Sequence, residues 1–82
     1  MIKTTVEVDG MMCSMCEAHV NDAVRKNLDV KKVNSSRKKK QTVIISENEL
    51  SEEMIRNAID PTGYKTGEIK SEPYRKKGLF GL

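Results

Sequence analysis

Residues 2–28 read IKTTVEVDGMMCSMCEAHVNDAVRKNL, and the hydrophobic period changes within this stretch. In its first part every second residue is a candidate for a buried face, namely Ile2, Thr4, Val6 and Val8. In its last part the apolar positions recur at helical intervals, namely Cys16, Val20, Ala23, Val24 and Leu28. Alternation indicates a strand with one buried face, and the longer spacing indicates an amphipathic helix. The stretch therefore predicts a strand, a break at Gly10 and a helix that begins at Ser14.

The start of this helix carries a capping pattern. Ser14 is followed three residues later by Glu17, which is the spacing of a capping box, in which the two side chains satisfy free backbone amides. We therefore expect Ser14 to cap the helix. The positive end of the helix dipole then lies beside Cys13 and Cys16, where it lowers the pKa of a thiol.

A hairpin is predicted after the helix. Val30, Val33 and Ser35 precede a basic turn, and residues 42–46 follow it with Val43 and Ile45 on one side. Six basic residues crowd around this turn: Lys31, Lys32, Arg37, Lys38, Lys39 and Lys40. No aromatic residue is interleaved with them, and sites for single-stranded nucleic acid combine charge with stacking side chains. We expect a solvated hairpin tip and no nucleic-acid partner, with a contact surface for an acidic partner as the alternative.

A second helix and a last strand complete the predicted order. Ser51 opens the helix, and the acidic residues that follow it suit the dipole. The apolar stripe of this helix consists of Met54, Ile55, Ala58 and Ile59. Residues 60–63 read DPTG and end the helix, and a strand over residues 65–70 follows, with Ile69 as its clearest apolar residue. The predicted class is α+β, with a four-stranded antiparallel sheet that carries two helices on one face.

Composition indicates one small domain. The chain has 82 residues, of which 15 are basic and 12 acidic, for a net charge of +3. A chain of this length has a thin core, which argues against a large enzyme cleft. We predict a folded domain over residues 1–70 and a basic, flexible tail over residues 71–82. No segment has the length of a transmembrane helix and the start lacks a secretory signal, so we expect a cytoplasmic protein.

Both cysteines lie in the loop between the first strand and the first helix, which reads GMMCSMC over residues 10–16. In a reducing compartment a CxxC pair is more often metal-binding or catalytic than structural. Thiolates are soft ligands that suit Cu(I) and zinc better than magnesium or calcium. Three methionines, Met11, Met12 and Met15, add polarizable side chains to the loop. A metal clamp is therefore favoured, and a redox pair is the alternative.

The chain resembles the heavy-metal-associated domain, the ferredoxin-like βαββαβ module of copper chaperones, mercury-binding proteins and the amino-terminal parts of metal-pumping ATPases. The resemblance covers about residues 3–70. It is carried by the GMxCxxC motif of residues 10–16, by Val20 and Val24 in the first helix, by the step from Val30 to Val33, and by Gly63-Tyr64 before the last strand.

The resemblance implies Cys13 and Cys16 as metal ligands, Met11 as a residue that packs beneath the loop, and Tyr64 as a neighbour of the metal. A tyrosine at this position resembles bacterial copper chaperones. Met12 departs from the family pattern, because copper-binding members often have Thr or His there and zinc-exporting members often have Asp. The absence of that carboxylate favours Cu(I) over zinc.

These residues predict a non-enzymatic protein that binds Cu(I) and transfers it to a heavy-metal-associated domain of a copper-transporting P-type ATPase. It acts either as a separate chaperone or as a metal-binding domain of such an ATPase. Zn(II), Hg(II) and Cd(II) remain alternative ions, and mercury or cadmium detoxification is an alternative role. A thiol-disulfide oxidoreductase is the alternative from another class. We expect a monomer, with a metal-bridged dimer as the alternative, and the more exposed thiol at Cys13.

Overall fold

The computed structural model describes residues 1–74 and contains the predicted order of elements. The strands are β1 (Ile2–Asp9), β2 (Lys32–Ser36), β3 (Gln41–Ser46) and β4 (Lys65–Pro73). The helices are α1 (Ser14–Asn27) and α2 (Glu52–Ile59), and a short 3-10 turn covers Asp60–Thr62. The strands pair antiparallel in the order β2-β3-β1-β4, as the ferredoxin-like fold requires. The α+β class and the topology are confirmed.

The core lies between the two helices and one face of the sheet. Its largest members are Val6, Val8, Val20, Val24, Ile44, Ile55 and Ile59, all of which are fully buried. Burying each such side chain stabilises the fold by about 1.5–3 kcal/mol. Ser35 and Thr42 are buried polar residues in this layer. The Ser35 hydroxyl donates to the Asn21 side chain at 2.6 Å and lies 2.9 Å from the Thr42 hydroxyl, so both hydroxyls have a hydrogen-bond partner.

The predicted capping box is wrong. Cys13, not Ser14, is the N-cap residue of α1, and no side chain caps this helix. The Glu17 carboxylate instead accepts a hydrogen bond from the backbone amide of Arg37 at 2.6 Å and pairs with its guanidinium group at 3.3 Å. A long-range, charge-assisted contact therefore replaces the local bond that the sequence suggested. The helix still begins at Ser14, as predicted.

Two predicted apolar faces are corrected. Val43 and Ile45 lie on one side of β3, as predicted, and Ile45 is buried there, but the residue of β3 that joins the core cluster beneath the helices is Ile44, on the opposite side. The reason is register, because Ile44 pairs with Thr4 in the buried row of the sheet. Met54 is half-exposed, so the buried face of α2 consists of the three residues Ile55, Ala58 and Ile59.

Strand β4 is longer than predicted. It continues to Pro73 and pairs with the start of β1, where Ser71 lies opposite Thr4 and Pro73 lies opposite Ile2. The proposed tail over residues 71–82 therefore overlaps the sheet at its start. Its remainder, residues 75–82, lies outside the described residues.

The structure contains the predicted start of α2 at Ser51 and the predicted glycine after its end. Ser51 caps α2 through a hydrogen bond from the amide of Met54 at 3.1 Å. Gly63 follows the 3-10 turn with a φ of 95°, the left-handed conformation that glycine adopts freely. Within residues 1–74, no helix has the length and apolarity that crossing a bilayer requires.

Candidate metal centre

The loop between β1 and α1 is fixed at both of its ends. Gly10 adopts a φ of 108°, and a Cβ atom there would lie 3.1 Å from Cδ1 of Tyr64. A residue without a side chain is therefore needed for the Tyr64 ring to lie against the loop. Met11, the next residue, is buried in the hydrophobic core. Met11 therefore packs beneath the loop, which is the position that the resemblance implied for it.

The two cysteines lie where this loop becomes α1. Cys13 is extended, with φ −153° and ψ 172°, and its carbonyl oxygen accepts bonds from the amides of Cys16 at 3.0 Å and Glu17 at 3.3 Å. One turn of helix therefore separates the two side chains and brings them to the same side. Ser14, the first residue of α1, is exposed and lies between them in the chain.

The thiols face each other at the surface. The two sulfur atoms lie 3.3 Å apart, and neither cysteine forms a disulfide. A disulfide has an S–S distance of about 2.05 Å, so the pair is a dithiol. Cys13 is exposed and Cys16 is partly exposed, as predicted. Two soft donors are thus within reach of a single ion that approaches from solvent.

The surroundings of Cys16 stabilise its thiolate. The hydrogen bond from the Tyr64 hydroxyl is the largest of the causes that lower the pKa of Cys16 to about 6, and backbone bonds at Met12 and Cys13 and the Cys13 side chain act in the same direction. The same contact raises the pKa of Tyr64 above its ordinary value. Tyr64 therefore lies next to the candidate ligand, as expected, and keeps its proton.

The remaining loop methionines point to solvent. Met12 is 84% exposed and Met15 is 68% exposed.

The donor set is small. Among residues 1–74, no group of three or more His, Cys, Asp and Glu side chains lies in an arrangement that could hold a metal ion. Zinc in structural sites takes four ligands, so two cysteines alone do not make such a site.

The basic turn is a neighbour of the loop, which sequence reasoning missed. The amide of Val8 donates to the carbonyl oxygen of Lys40 at 2.9 Å, and Glu17 holds Arg37 from the first turn of α1. The predicted topology could have indicated this proximity, because β3 lies beside β1 in that fold.

Comparison with known proteins agrees with this geometry. Residues 5–65 match the heavy-metal-associated domain family. A mercuric reductase of Lysinibacillus sphaericus is 34% identical over 70 residues, which are 85% of this chain and 13% of the reductase. The chain thus spans a small part of that relative.

Two solved structures share the fold. A copper-binding domain from HMA7, a P-type ATPase, superimposes with a TM-score of 0.77 at 28% identity and covers 90% of this chain and 100% of that domain. Oxidized MerP from Ralstonia metallidurans superimposes with a TM-score of 0.68 at 28% identity, covering 82% of this chain and 96% of MerP.

Proposed function

Since the chain belongs to the heavy-metal-associated domain family, we propose that it binds one Cu(I) ion between Cys13 and Cys16 and passes the ion to a partner. The family and its fold support heavy-metal binding and transfer, and the choice of Cu(I) rests on the donor set. The observation that carries the proposal is the pair of reduced, solvent-facing thiols 3.3 Å apart. Cu(I) is soft and accepts few ligands, whereas a zinc ion would lack two of its four.

The geometry also supports release of the ion. Two protein ligands leave a Cu(I) ion open to a third, so an incoming thiolate binds before a resident one leaves. Cys13 is the more exposed ligand and meets the partner first. The bound pair of thiolates and one Cu(I) carries a charge of −1, which the free amides and the dipole of α1 stabilise.

The partner of this exchange must offer soft donors of its own. We propose a heavy-metal-associated domain of a metal-transporting ATPase, which is the class to which one solved neighbour belongs. We place the exchange in the reducing cytoplasm, where a CxxC pair stays reduced. The protein acts as a carrier and not as an enzyme.

Mercury is the second candidate ion. A mercuric reductase and MerP are among the similar proteins, and Hg(II) uses the same two sulfur donors. Competitive titration against a calibrated Cu(I) chelator, with Hg(II), Cd(II) and Zn(II) in parallel, separates the candidates. We expect Cu(I) to compete best, and a preference for Hg(II) would replace the copper proposal by a detoxification role.

A thiol-disulfide oxidoreductase is less well supported. The pKa of Cys16 is lowered to about 6, but this thiol is only partly exposed, whereas attack on a substrate disulfide requires an accessible thiolate. Catalysed reduction of insulin by the metal-free protein would favour that alternative.

The ligand assignment is tested by single substitutions. Cys13→Ser and Cys16→Ser are each expected to weaken Cu(I) binding by two orders of magnitude or more, about 2.7 kcal/mol, because hydroxyls are poor ligands for soft ions. Ala18→Ser, an exposed change on α1, serves as the control. Circular dichroism should show an unchanged fold in all three variants. Tight binding that survives in both cysteine variants would contradict the assignment.

A further inference from the structure

Strand β4 contains a bulge near its start. Val6 pairs with Ile69 and Val8 pairs with Thr66, so two steps along β1 correspond to three steps along β4. The extra residue of β4 therefore lies between Thr66 and Ile69. A bulge leaves one residue outside the regular ladder and redirects the side chains next to it, and bulges are frequent beside functional sites.

The bulge decides which side chain of β4 faces the metal loop. On the loop side of the bulge, Asp9 pairs with Lys65. Tyr64 therefore comes opposite Gly10, and its ring lies against this glycine. If β4 slipped by one residue, so that the register of its second half continued without a bulge, Lys65 would come opposite Gly10. Such a slip also turns each slipped side chain to the other face of the sheet. The position of Tyr64 beside Cys16 thus depends on the bulged register.

Arg56 of α2 holds the start of β4 from the helix side. Its Nη1 atom donates to the carbonyl oxygen of Thr66 at 3.3 Å and to the hydroxyl of the same residue at 3.2 Å. Its Nη2 atom donates to the carbonyl oxygen of Gly67 at 3.2 Å. Glu52, one turn earlier in α2, pairs with the guanidinium group at 3.6 Å. Because the guanidinium group presents its donors in a rigid fork, bonds to two successive carbonyl oxygens fix the local direction of the chain.

Glu7 of β1 holds the same segment from the open face of the sheet. Its carboxylate accepts a hydrogen bond from the amide of Glu68 at 3.3 Å. The carboxylate also lies against Gly67, where an added Cβ atom would overlap it. Backbone groups that a bulge removes from the ladder need other partners, and here Glu7 and Arg56 supply them. The bulge is therefore held from both sides.

The chain before Tyr64 restrains its position less. Gly63 precedes it, and glycine limits the backbone little. The amide of Tyr64 donates to the hydroxyl of Thr62 at 3.4 Å, which is long for a hydrogen bond. The bonds from Arg56, two and three residues after Tyr64, involve a charged donor and are the stronger restraint.

We propose that Arg56 is a positioning residue of the metal centre, which holds β4 in the bulged register, keeps Tyr64 rather than Lys65 against the metal loop and so slows loss of the bound ion. This inference rests on the proposed function and adds to it a residue outside the metal loop. The partly buried ring of Tyr64 covers the Cys16 side of the centre, so an incoming ligand reaches the ion from the side of Cys13. Displacement of the ring opens both sides to such a ligand.

Positioning is tested first in the metal-free protein. Arg56→Met removes the fork of donors and keeps a long, helix-forming side chain. Arg25→Met is the matched control, because Arg25 is exposed and pairs with Asp22 of its own helix. Proton NMR should show contacts between the Tyr64 ring and the α protons of Gly10 in the parent chain and in the control, and Arg56→Met should lose them. Unchanged ring contacts in Arg56→Met would overturn the proposal, and a loss of stability without loss of these contacts would assign Arg56 a structural role only.

Ion loss is tested next with the Cu(I)-loaded protein. The rate at which excess sulfonated bathocuproine removes Cu(I) should rise about fivefold in Arg56→Met and stay unchanged in Arg25→Met. Tyr64→Ala should raise this rate at least as much. The double variant Arg56→Met with Tyr64→Ala should lose Cu(I) at the rate of Tyr64→Ala, because both changes remove the same ring from the loop. Effects that multiply in the double variant would show that Arg56 acts by another route and would overturn the proposal.

Two further results separate the hypotheses. If the ring contacts depend on Arg56 but the protein binds no Cu(I), the proposed function fails, and the retention of the ion fails with it, while the placement of Tyr64 by Arg56 stands. If the ring is displaced in Arg56→Met but Cu(I) is removed at the rate of the parent chain, metal binding stands and the proposal is overturned.

Discussion

Tyr64 is the residue with the largest influence on the acidity of the candidate site. Its side chain is the first among the causes that lower the pKa of the Cys16 thiol to about 6. A thiol with this pKa is mainly thiolate at neutral pH, and the thiolate is the form that binds metal. Tyr64 therefore favours the ionised form of Cys16, the form that binds metal, before an ion is bound.

The substitution Tyr64→Phe should raise the pKa of Cys16, because it removes a donor that stabilises only the ionised thiol. The metal-free variant should then show less thiolate at neutral pH and bind metal with a steeper dependence on pH. Ultraviolet absorbance of the thiolate during a pH titration measures the change. Tyr74→Phe, at the other end of β4, is the control and should leave the titration unaltered. An unchanged midpoint in Tyr64→Phe would show that the backbone bonds at Met12 and Cys13 suffice.

Met12 is the exposed loop residue that directly precedes the first candidate ligand, Cys13. It is exposed beside the cysteines, so a longer or charged side chain is accommodated without disturbing the core. Met12→Asp should raise the affinity for Zn(II) by about tenfold, about 1.4 kcal/mol, because it adds the hard oxygen donor that zinc accepts. Met54→Asp, also at an exposed methionine, should leave zinc affinity unchanged. Competitive zinc titration of both variants provides the measurement, and equal affinities would mean that position 12 does not select the metal.

At the level of elements, the start of α1 is stabilised from a distance. No side chain caps this helix, and Glu17 reaches the β2–β3 turn instead. The contact joins two residues twenty positions apart in the chain, so it contributes to tertiary structure rather than to the helix alone.

Glu17→Ala should lower the free energy of unfolding by about 1 kcal/mol, because it removes a charge-assisted bond from the Arg37 amide to a carboxylate that is only partly exposed. Arg37→Ala should cost less, about 0.5 kcal/mol or below, since the backbone bond to Glu17 remains. Asp22→Ala is the control, because its ion pair with Arg25 is exposed and long at 4.0 Å. Urea unfolding measures all three. A control that loses as much stability as Glu17→Ala would contradict the tertiary role.

The elements differ in how well the sequence predicted them. Strand β1 and helix α1 carry strong periodicity, and their bounds were close to those observed. The face of β3 was misassigned, because Thr42 and Ser46 occupy buried positions on the same side as Ile44 and weaken the alternation. The exposure of Met54 depends on packing between α2 and β4, which no local pattern records. The cysteine pair was predictable from its spacing, whereas the bonds that Val8 and Glu17 form with the basic turn required the register of β1 and β3.

At the scale of the whole molecule, the last strand of the sheet continues beyond residue 70, where the hydrophobic pattern predicted its end. Residues 71–73 pair with the start of β1, and the Tyr74 amide donates to the carbonyl oxygen of Met1 at 2.8 Å. Their side chains are mostly exposed, so no alternation marks them as a strand. Backbone pairing extends β4, together with polar contacts of Ser71 with Thr4 and of Glu72 with Lys3, and hydrophobic patterns do not reveal such bonds.

The folded unit should therefore end at Tyr74 rather than at Lys70. A chain of residues 1–74 should have the same free energy of unfolding as the full chain, within about 0.5 kcal/mol. A chain of residues 1–70 should be less stable by about 2 kcal/mol, because it loses the pairing of residues 71–73 with Ile2–Thr4, the bond from the Tyr74 amide to the Met1 carbonyl oxygen and the contact between the Thr4 and Ser71 hydroxyls. Urea unfolding measures both. Metal affinity should be equal in the two shortened chains, since the cysteines lie at the opposite end of the sheet. If residues 1–74 lose as much stability as residues 1–70, the segment after Tyr74 contributes to the fold and this boundary is wrong.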